Sequence, residues 1–248
     1  MTFKGPLLAL LLVVASPLAA QAPALDPSSA ISIDQEPHHH LVLRNEYIEV
    51  HQILLPPGDS FKLHKHDRDE IAITISGANS IGVTPGKPPV PSTSQAGRVS
   101  YSPAPRIHLV HNVGATELHN VAVTLLLPQT SLRNLCATPK AAEPPNCPAS
   151  AQNNPASPYL AQPQFETDQT RATLLRVRPN AAAPAGPRDR DELIVAVDDV
   201  VLASSPKDPG KPLHAGVLLW LARRTPPAII KNPGDKEARV VTLEFKPL

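Results

Sequence analysis

Apolar and polar positions along the chain fall into short β-branched runs separated by glycine and proline. Ile48, Val50, Gln52 and Leu54 lie at every second position, and Leu41-Val42-Leu43 forms a compact run before them. Ile71-Ala72-Ile73-Thr74-Ile75 and the stretch from Val121 to Leu127 are longer runs of the same kind. Leu193 to Val197 and Val240 to Phe245 repeat the pattern in the second half. Runs of this length, rich in Val, Ile and Thr and bounded by turn residues, predict strands, and the fold class they predict is all-β. Between them, residues 81–96 and 128–165 are dense in proline, glycine, alanine and asparagine and predict loops. The second of these is long for a connection inside one domain. It predicts a linker at 129–165 between a unit at 38–128 and another at 166–248. Residues 23–37 are expected to be a loosely held arm.

The first 22 residues change the picture of where the chain works. Lys4 precedes an apolar run from Leu7 to Val14, followed by small residues around Ala19, Ala20 and Ala22. This is the pattern of a secretory signal peptide, with an apolar part too short to span a bilayer. The expected compartment is periplasmic or secreted. The 248-residue chain holds 23 basic and 22 acidic residues. Loss of Lys4 with the signal leaves the mature chain formally neutral. No basic block stands out, which argues against a nucleic-acid partner. Cys136 and Cys147, in the proline-rich stretch of an exported chain, are expected to close a disulfide, although unpaired cysteines remain an alternative.

The candidate chemistry lies between residues 58 and 112. His64 and His66 are two apart, so on a strand both rings share a face. Asp67, Arg68 and Asp69 suit a turn, and Glu70 opens the next strand, which can bring its carboxylate back beside the imidazoles. Gly58, His64, His66, Glu70 and Gly77 stand at the spacing of the first cupin motif. Gly97, Pro103, His108 and Asn112 stand at that of the second, with Pro105 where the family usually has glycine. The chain thus resembles the cupin superfamily. The resemblance implies two tandem jelly-roll (double-stranded β-helix) barrels and a metal held by His64, His66, Glu70 and His108. Three imidazoles and one carboxylate suit one divalent transition metal among Fe, Mn, Ni, Cu and Zn. Ile71, Ile73, Ile75, Val99, Leu109, Val121 and Val123 are the expected dry wall around it. Tyr101 and Arg106, with Arg68, are candidates for orienting an anionic substrate. His38, His39 and His40 are expected on the barrel rim, and His111 and His119 at the surface or behind the ligands. Asn112 suits a turn-fixing hydrogen bond.

The second half carries a weak internal repeat. Asp189-Arg190-Asp191-Glu192 matches Asp67-Arg68-Asp69-Glu70, Ala215-Gly216 matches Ala96-Gly97, and Asn232-Pro233-Gly234 matches Asn112-Val113-Gly114. In that register Gly186, Arg188 and Ala228 stand opposite His64, His66 and His108, so a bicupin with a metal-blind second barrel is expected. The functional reading is a metal-dependent oxygenase or related enzyme on a small oxygen-bearing substrate, phenolic or dicarbonyl. The alternative is a non-catalytic module binding a small ligand or metal. The partners expected are a small molecule and no membrane, with a homodimer left open.

Overall fold

The computed structural model describes Met1 and residues 25–247, apart from 152–153, 155 and 186–188. The expected signal peptide, and the positions Gly186 and Arg188, lie outside the described residues. Among the described residues no helix is long and apolar enough to cross a membrane. The regular structure is strand, with three short 3-10 turns at Pro27–Ser29, Ile33–Gln35 and Ala149–Ala151.

The first half contributes β1 (Ile31–Ser32), β2 (His39–Arg44), β3 (Ile48–Leu55), β4 (His64–His66) and β5 (Glu70–Ser76). It continues with β6 (Asn79–Val83), β7 (Val90–Thr93), β8 (Val99–Ser102), β9 (Arg106–Asn112) and β10 (Leu118–Leu125). They form two five-stranded sheets, ordered β1-β4-β9-β6-β7 and β2-β3-β10-β5-β8. The second half contributes β11 (Leu132–Asn134), β12 (Tyr159–Thr167), β13 (Thr170–Val177), β14 (Ala181–Ala185) and β15 (Asp191–Ala196). After these come β16 (Val200–Ala203), β17 (Lys211–Leu213), β18 (Leu218–Leu221), β19 (Ala228–Asn232) and β20 (Ala238–Phe245). These make a six-stranded sheet, β11-β12-β13-β20-β15-β18, and a four-stranded one, β14-β19-β16-β17.

Strand alternation decides how the four sheets stack. On β5, Ile71, Ile73 and Ile75 point one way; on β10, Val121, Val123 and Leu125 do the same. They meet Phe165, Leu174, Leu193, Val195, Val241, Leu243 and Phe245 from the second half in one continuous apolar cluster. The largest core therefore lies between the halves, and the sheets stack as four layers. Each half also has its own interior. That of the second half is apolar, with Leu175, Val177, Ile194, Val200, Leu213, Ile230 and Val240 packed together. That of the first half is a small apolar patch, Ile53, Leu55, Phe61, Ala78, Leu118 and Ala122, beside a group of histidines.

Three expectations change. The isoleucines and valines assigned to the wall of a metal pocket, Ile71, Ile73, Ile75, Val99, Val121 and Val123, face the inter-half core instead. Only Leu109 of that set packs on the interior patch. The stretch read as linker contains β11 and much of β12. The latter pairs with β13 from Tyr159 onward and carries Pro163 at a register shift, where a missing N–H is tolerated. The arm is not loose, because Ile31 and Ser32 pair in parallel with His64 and Lys65.

The internal repeat has a matching geometry. Asn112 Nδ2 donates to the carbonyls of Leu55 (2.9 Å) and Thr116 (2.8 Å), and its Oδ1 accepts from Gly114 N (3.0 Å). Asn232 Nδ2 donates to the carbonyls of Val177 (2.9 Å) and Lys236 (2.7 Å), and its Oδ1 accepts from Gly234 N (2.9 Å). Gly97 and Gly216 both sit at φ 85°, a backbone shape that suits glycine. Each meets the opposite half: Arg239 packs against Gly97 and His119 against Gly216.

Candidate metal centre

The short strand β4, held between β1 and β9, presents His64 and His66 on one face, with Lys65 pointing out to solvent between them. Strand β9 pairs antiparallel with it, placing His108 directly opposite His64. The ring centroids of His64, His66 and His108 are 4.7–5.1 Å apart in all three pairs. One nitrogen of each can be chosen so that all lie within 4.8 Å of one another. His66 Nε2 lies 3.1 Å from His108 Nε2.

The protonation of these rings suits a cation. His64 Nδ1 donates to the Lys62 carbonyl at 2.9 Å, so in the neutral ring Nε2 is the bare nitrogen. That Nε2 is buried and has no hydrogen-bond partner. Burial pushes His64 down to about 4, against the pull of its bond to Lys62, with His39 and His66 adding to the fall. Burial, and then the Arg106 charge, lower His108 further still. Both are neutral bases at neutral pH. Buried, uncharged imidazoles with an orphaned nitrogen are what a divalent metal needs.

Glu70 stands beside this group rather than within it. Its Oε2 is 3.0 Å from His66 Nδ1, and its Oε1 accepts from Arg106 Nη2 at 3.0 Å. Oε2 makes no well-aligned hydrogen bond. Burial opposes its charge, but His66 and Arg106 overrule that and hold the carboxyl well below the usual carboxylate range. Glu70 is therefore an anion placed to fix the orientation of His66 and to offset a cation held by the three rings. Arg106 reaches the same place, with its Nε buried and unbonded. The residues present fit a divalent transition metal: three imidazole donors, a buried carboxylate next to them, and an unbonded lone pair on each of His64 Nε2 and Glu70 Oε2.

The remaining candidates fall elsewhere. Tyr101 pairs with Ile71 and therefore faces the inter-half core. Its hydroxyl donates to Asp69 and its ring meets Phe165 edge-on, so it is not at the site. Arg68 Nη1 donates to the Leu126 carbonyl. His111 bonds Ser60 at an exposed position, and His119 bonds Gln52 at 2.6 Å at the junction of the halves. Cys136 and Cys147 are joined by a disulfide. His39 departs from the expected rim position, since it is buried against His64 with centroids 4.8 Å apart. His51 is buried as well, and its place between Val50 and Gln52 on β3 puts it on the opposite, interior face.

In the second half, Ala228, the counterpart of His108, opens β19 and packs on the apolar interior. Glu192, the counterpart of Glu70, is buried with Oε2 unbonded.

No family model matches the sequence, and no curated protein matches it. Solved structures do match. AerE from Microcystis aeruginosa is 10% identical over 86% of this chain and 99% of its own, with a TM-score of 0.52. A salicylate 1,2-dioxygenase variant from Pseudoaminobacter salicylatoxidans, in complex with gentisate, is 10% identical over 80% of this chain and 68% of its own, with a TM-score of 0.52. YhaK from Escherichia coli is 12% identical over 84% of this chain and 88% of its own, with a TM-score of 0.50. Together with the two motifs, the stacked jelly-roll sheets and the histidines converging from β4 and β9, these likenesses establish that the chain has the cupin fold.

Proposed function

We propose that the chain is an exported metal-dependent cupin that oxidises a small oxygen-bearing substrate, phenolic or dicarbonyl, in its first half. In this reading the chain is a tandem of two barrels, and the second is a structural partner without a metal. The observation that carries the proposal is the convergence of His64, His66 and His108, two buried and one half-buried, beside ionised Glu70. The dioxygenase among the fold neighbours supports the reaction class.

A divalent transition metal bound there supplies Lewis-acid polarisation and, for a redox-active ion, a site for electron transfer. The chain's own residues do the rest. His64, His66 and His108 would hold the ion. Glu70 keeps His66 oriented and balances charge. Arg106, half-buried with an unbonded Nε, binds and orients an anionic oxygen of the substrate. Phe61, Leu109 and Val110 shield the site from water, which strengthens each electrostatic contact inside. Export is supported by the Cys136–Cys147 disulfide, a bond that persists in oxidising compartments.

Elemental analysis of the purified mature protein tests the first part. The expected result is about one transition metal ion per chain, lost in His66→Ala. Oxygen consumption over a panel of phenolic and dicarbonyl compounds tests the second. Full metal loading with no turnover would leave a binding module.

A further inference from the structure

We infer that Glu36 and His39 form a positioning circuit for His64, bolting the N-terminal arm onto the metal centre. This rests on the metal-binding reading of His64, His66 and His108.

Glu36 follows the turn Ile33–Gln35, and its carboxylate is wholly buried. A buried anion is costly unless its oxygens are bonded, and here three donors converge. Oε2 accepts from His38 N at 2.8 Å and His39 Nδ1 at 2.6 Å, and Oε1 accepts from Lys62 N at 3.2 Å. Lys62 in turn offers its carbonyl to His64 Nδ1 at 2.9 Å. The His39 ring closes the circuit by packing against His64, with centroids 4.8 Å apart. One residue thus links the two side chains: the Lys62 N–H donates to Glu36, and the Lys62 C=O accepts from His64 Nδ1. Phe61 packs on both rings, with centroids 5.0 and 5.7 Å away. Backbone pairing adds to this, as Ile31 N donates to the Leu63 carbonyl at 3.0 Å.

The consequence is specific. The bond to Lys62 sets which nitrogen of His64 is bare, and Glu36 holds Lys62 in place. A carboxylate that anchors the residue bonded to a metal ligand fixes that ligand's orientation and tautomer. His39 takes the same tautomer, with its proton on Nδ1 facing Glu36. Glu36 and His39 touch no reacting atom in this account and act only through His64.

Two measurements on the full mature chain test this. The first is zinc affinity by chelator competition, with the visible spectrum of the cobalt-loaded protein, for wild type, Glu36→Gln and His39→Gln. Each variant is expected to bind zinc 10–100-fold more weakly, the cost typical of lost outer-sphere support, with an altered cobalt spectrum. Leu118→Ala, in the interior patch of the same half, should lose stability without changing either readout. Wild-type affinity and an unchanged spectrum in both glutamine variants would overturn the circuit, however far their melting points fall. Wild type that binds no zinc would instead refute the metal reading itself. The second needs no variant: nitrogen-15 imidazole spectra of the metal-free protein should show His39 and His64 protonated on Nδ1. A proton on Nε2 of either ring would overturn the proposal.

Discussion

At His64 and His108 burial disfavours the charged ring, and at His108 the Arg106 charge adds to it. Their native values lie below the 6.5 of a free histidine, at about 4 for His64 and lower for His108. Between those values the unfolded chain binds more protons than the native one, so stability rises with pH there and is lost as pH falls from about 6.5 toward 4. Metal-free protein should therefore lose a few kcal/mol over that window, since one pK unit is worth about 1.4 kcal/mol. Chemical denaturation at stepped pH checks this, and His64→Gln should flatten the dependence. The spacing of His64, His66 and His108 was legible because strand period and motif agree on them. The role of His39 was not, because it comes from the arm folding back over β4, a contact between segments that no local pattern encodes. The alternation rule did contain a clue: of three consecutive histidines on a strand, the middle one faces away from its neighbours, and His39 is the one turned inward.

Among the elements, β5 and β15 make the comparison that separates the halves. Glu70 opens β5 and Glu192 is the second residue of β15, each followed by apolar residues, Ile71 and Ile73 or Leu193 and Val195, that face the inter-half core. The error over the metal-pocket wall lies here: if Glu70 faces in, Ile71, Ile73 and Ile75 cannot. Their burial depends on a second sheet that the first half's sequence does not announce. At Glu70 the carboxylate meets His66 and Arg106, whereas at Glu192 the residue directly across on β20 is Glu244. Burial, and then the Glu244 charge, push Glu192 up to about 7. Its native value thus exceeds the unfolded 4.5, so the native state binds more protons and stability is lost as pH rises from about 4.5 through 7. Glu192→Gln should stabilise the protein by about 1–3 kcal/mol at pH 8 and by little at pH 5, measured as melting-temperature shifts. An equal effect at both values would show that charge is not the cause. The loop closed by Cys136 and Cys147 spans a sequence separation of 11. By chain entropy Cys136→Ser should cost about 2–3 kcal/mol, read from urea unfolding.

For the molecule as a whole, the shared core means that the second half supports the first. Sheet β2-β3-β10-β5-β8 would otherwise expose Ile71, Ile73, Val121, Val123 and Leu125, a patch far too apolar to leave in water. Arg239 Nη1 donates to the Ala96 carbonyl at 2.6 Å, and Gln52 Nε2 donates to the Gly216 carbonyl at 2.6 Å, so the junction is fastened on both sides. Leu243→Ala, distant in sequence from the histidines, should cost about 2–5 kcal/mol and lower a single calorimetric transition rather than split it. Two transitions, with the first half's unchanged, would contradict a shared core. The all-β class and the repeat were legible from β-branched runs and paired turn motifs. The four-layer stack was not, because which apolar face meets which is decided by the faces left over.

The central claim is that three imidazoles from β4 and β9 grip one transition metal ion, and X-ray absorption of the metal-loaded mature protein tests it most directly. The account predicts a first coordination shell with three imidazole nitrogens at about 2.0–2.1 Å for zinc, falling to two in His108→Ala. A shell with fewer than three imidazoles in the wild type, or an unchanged shell in the variant, would contradict it.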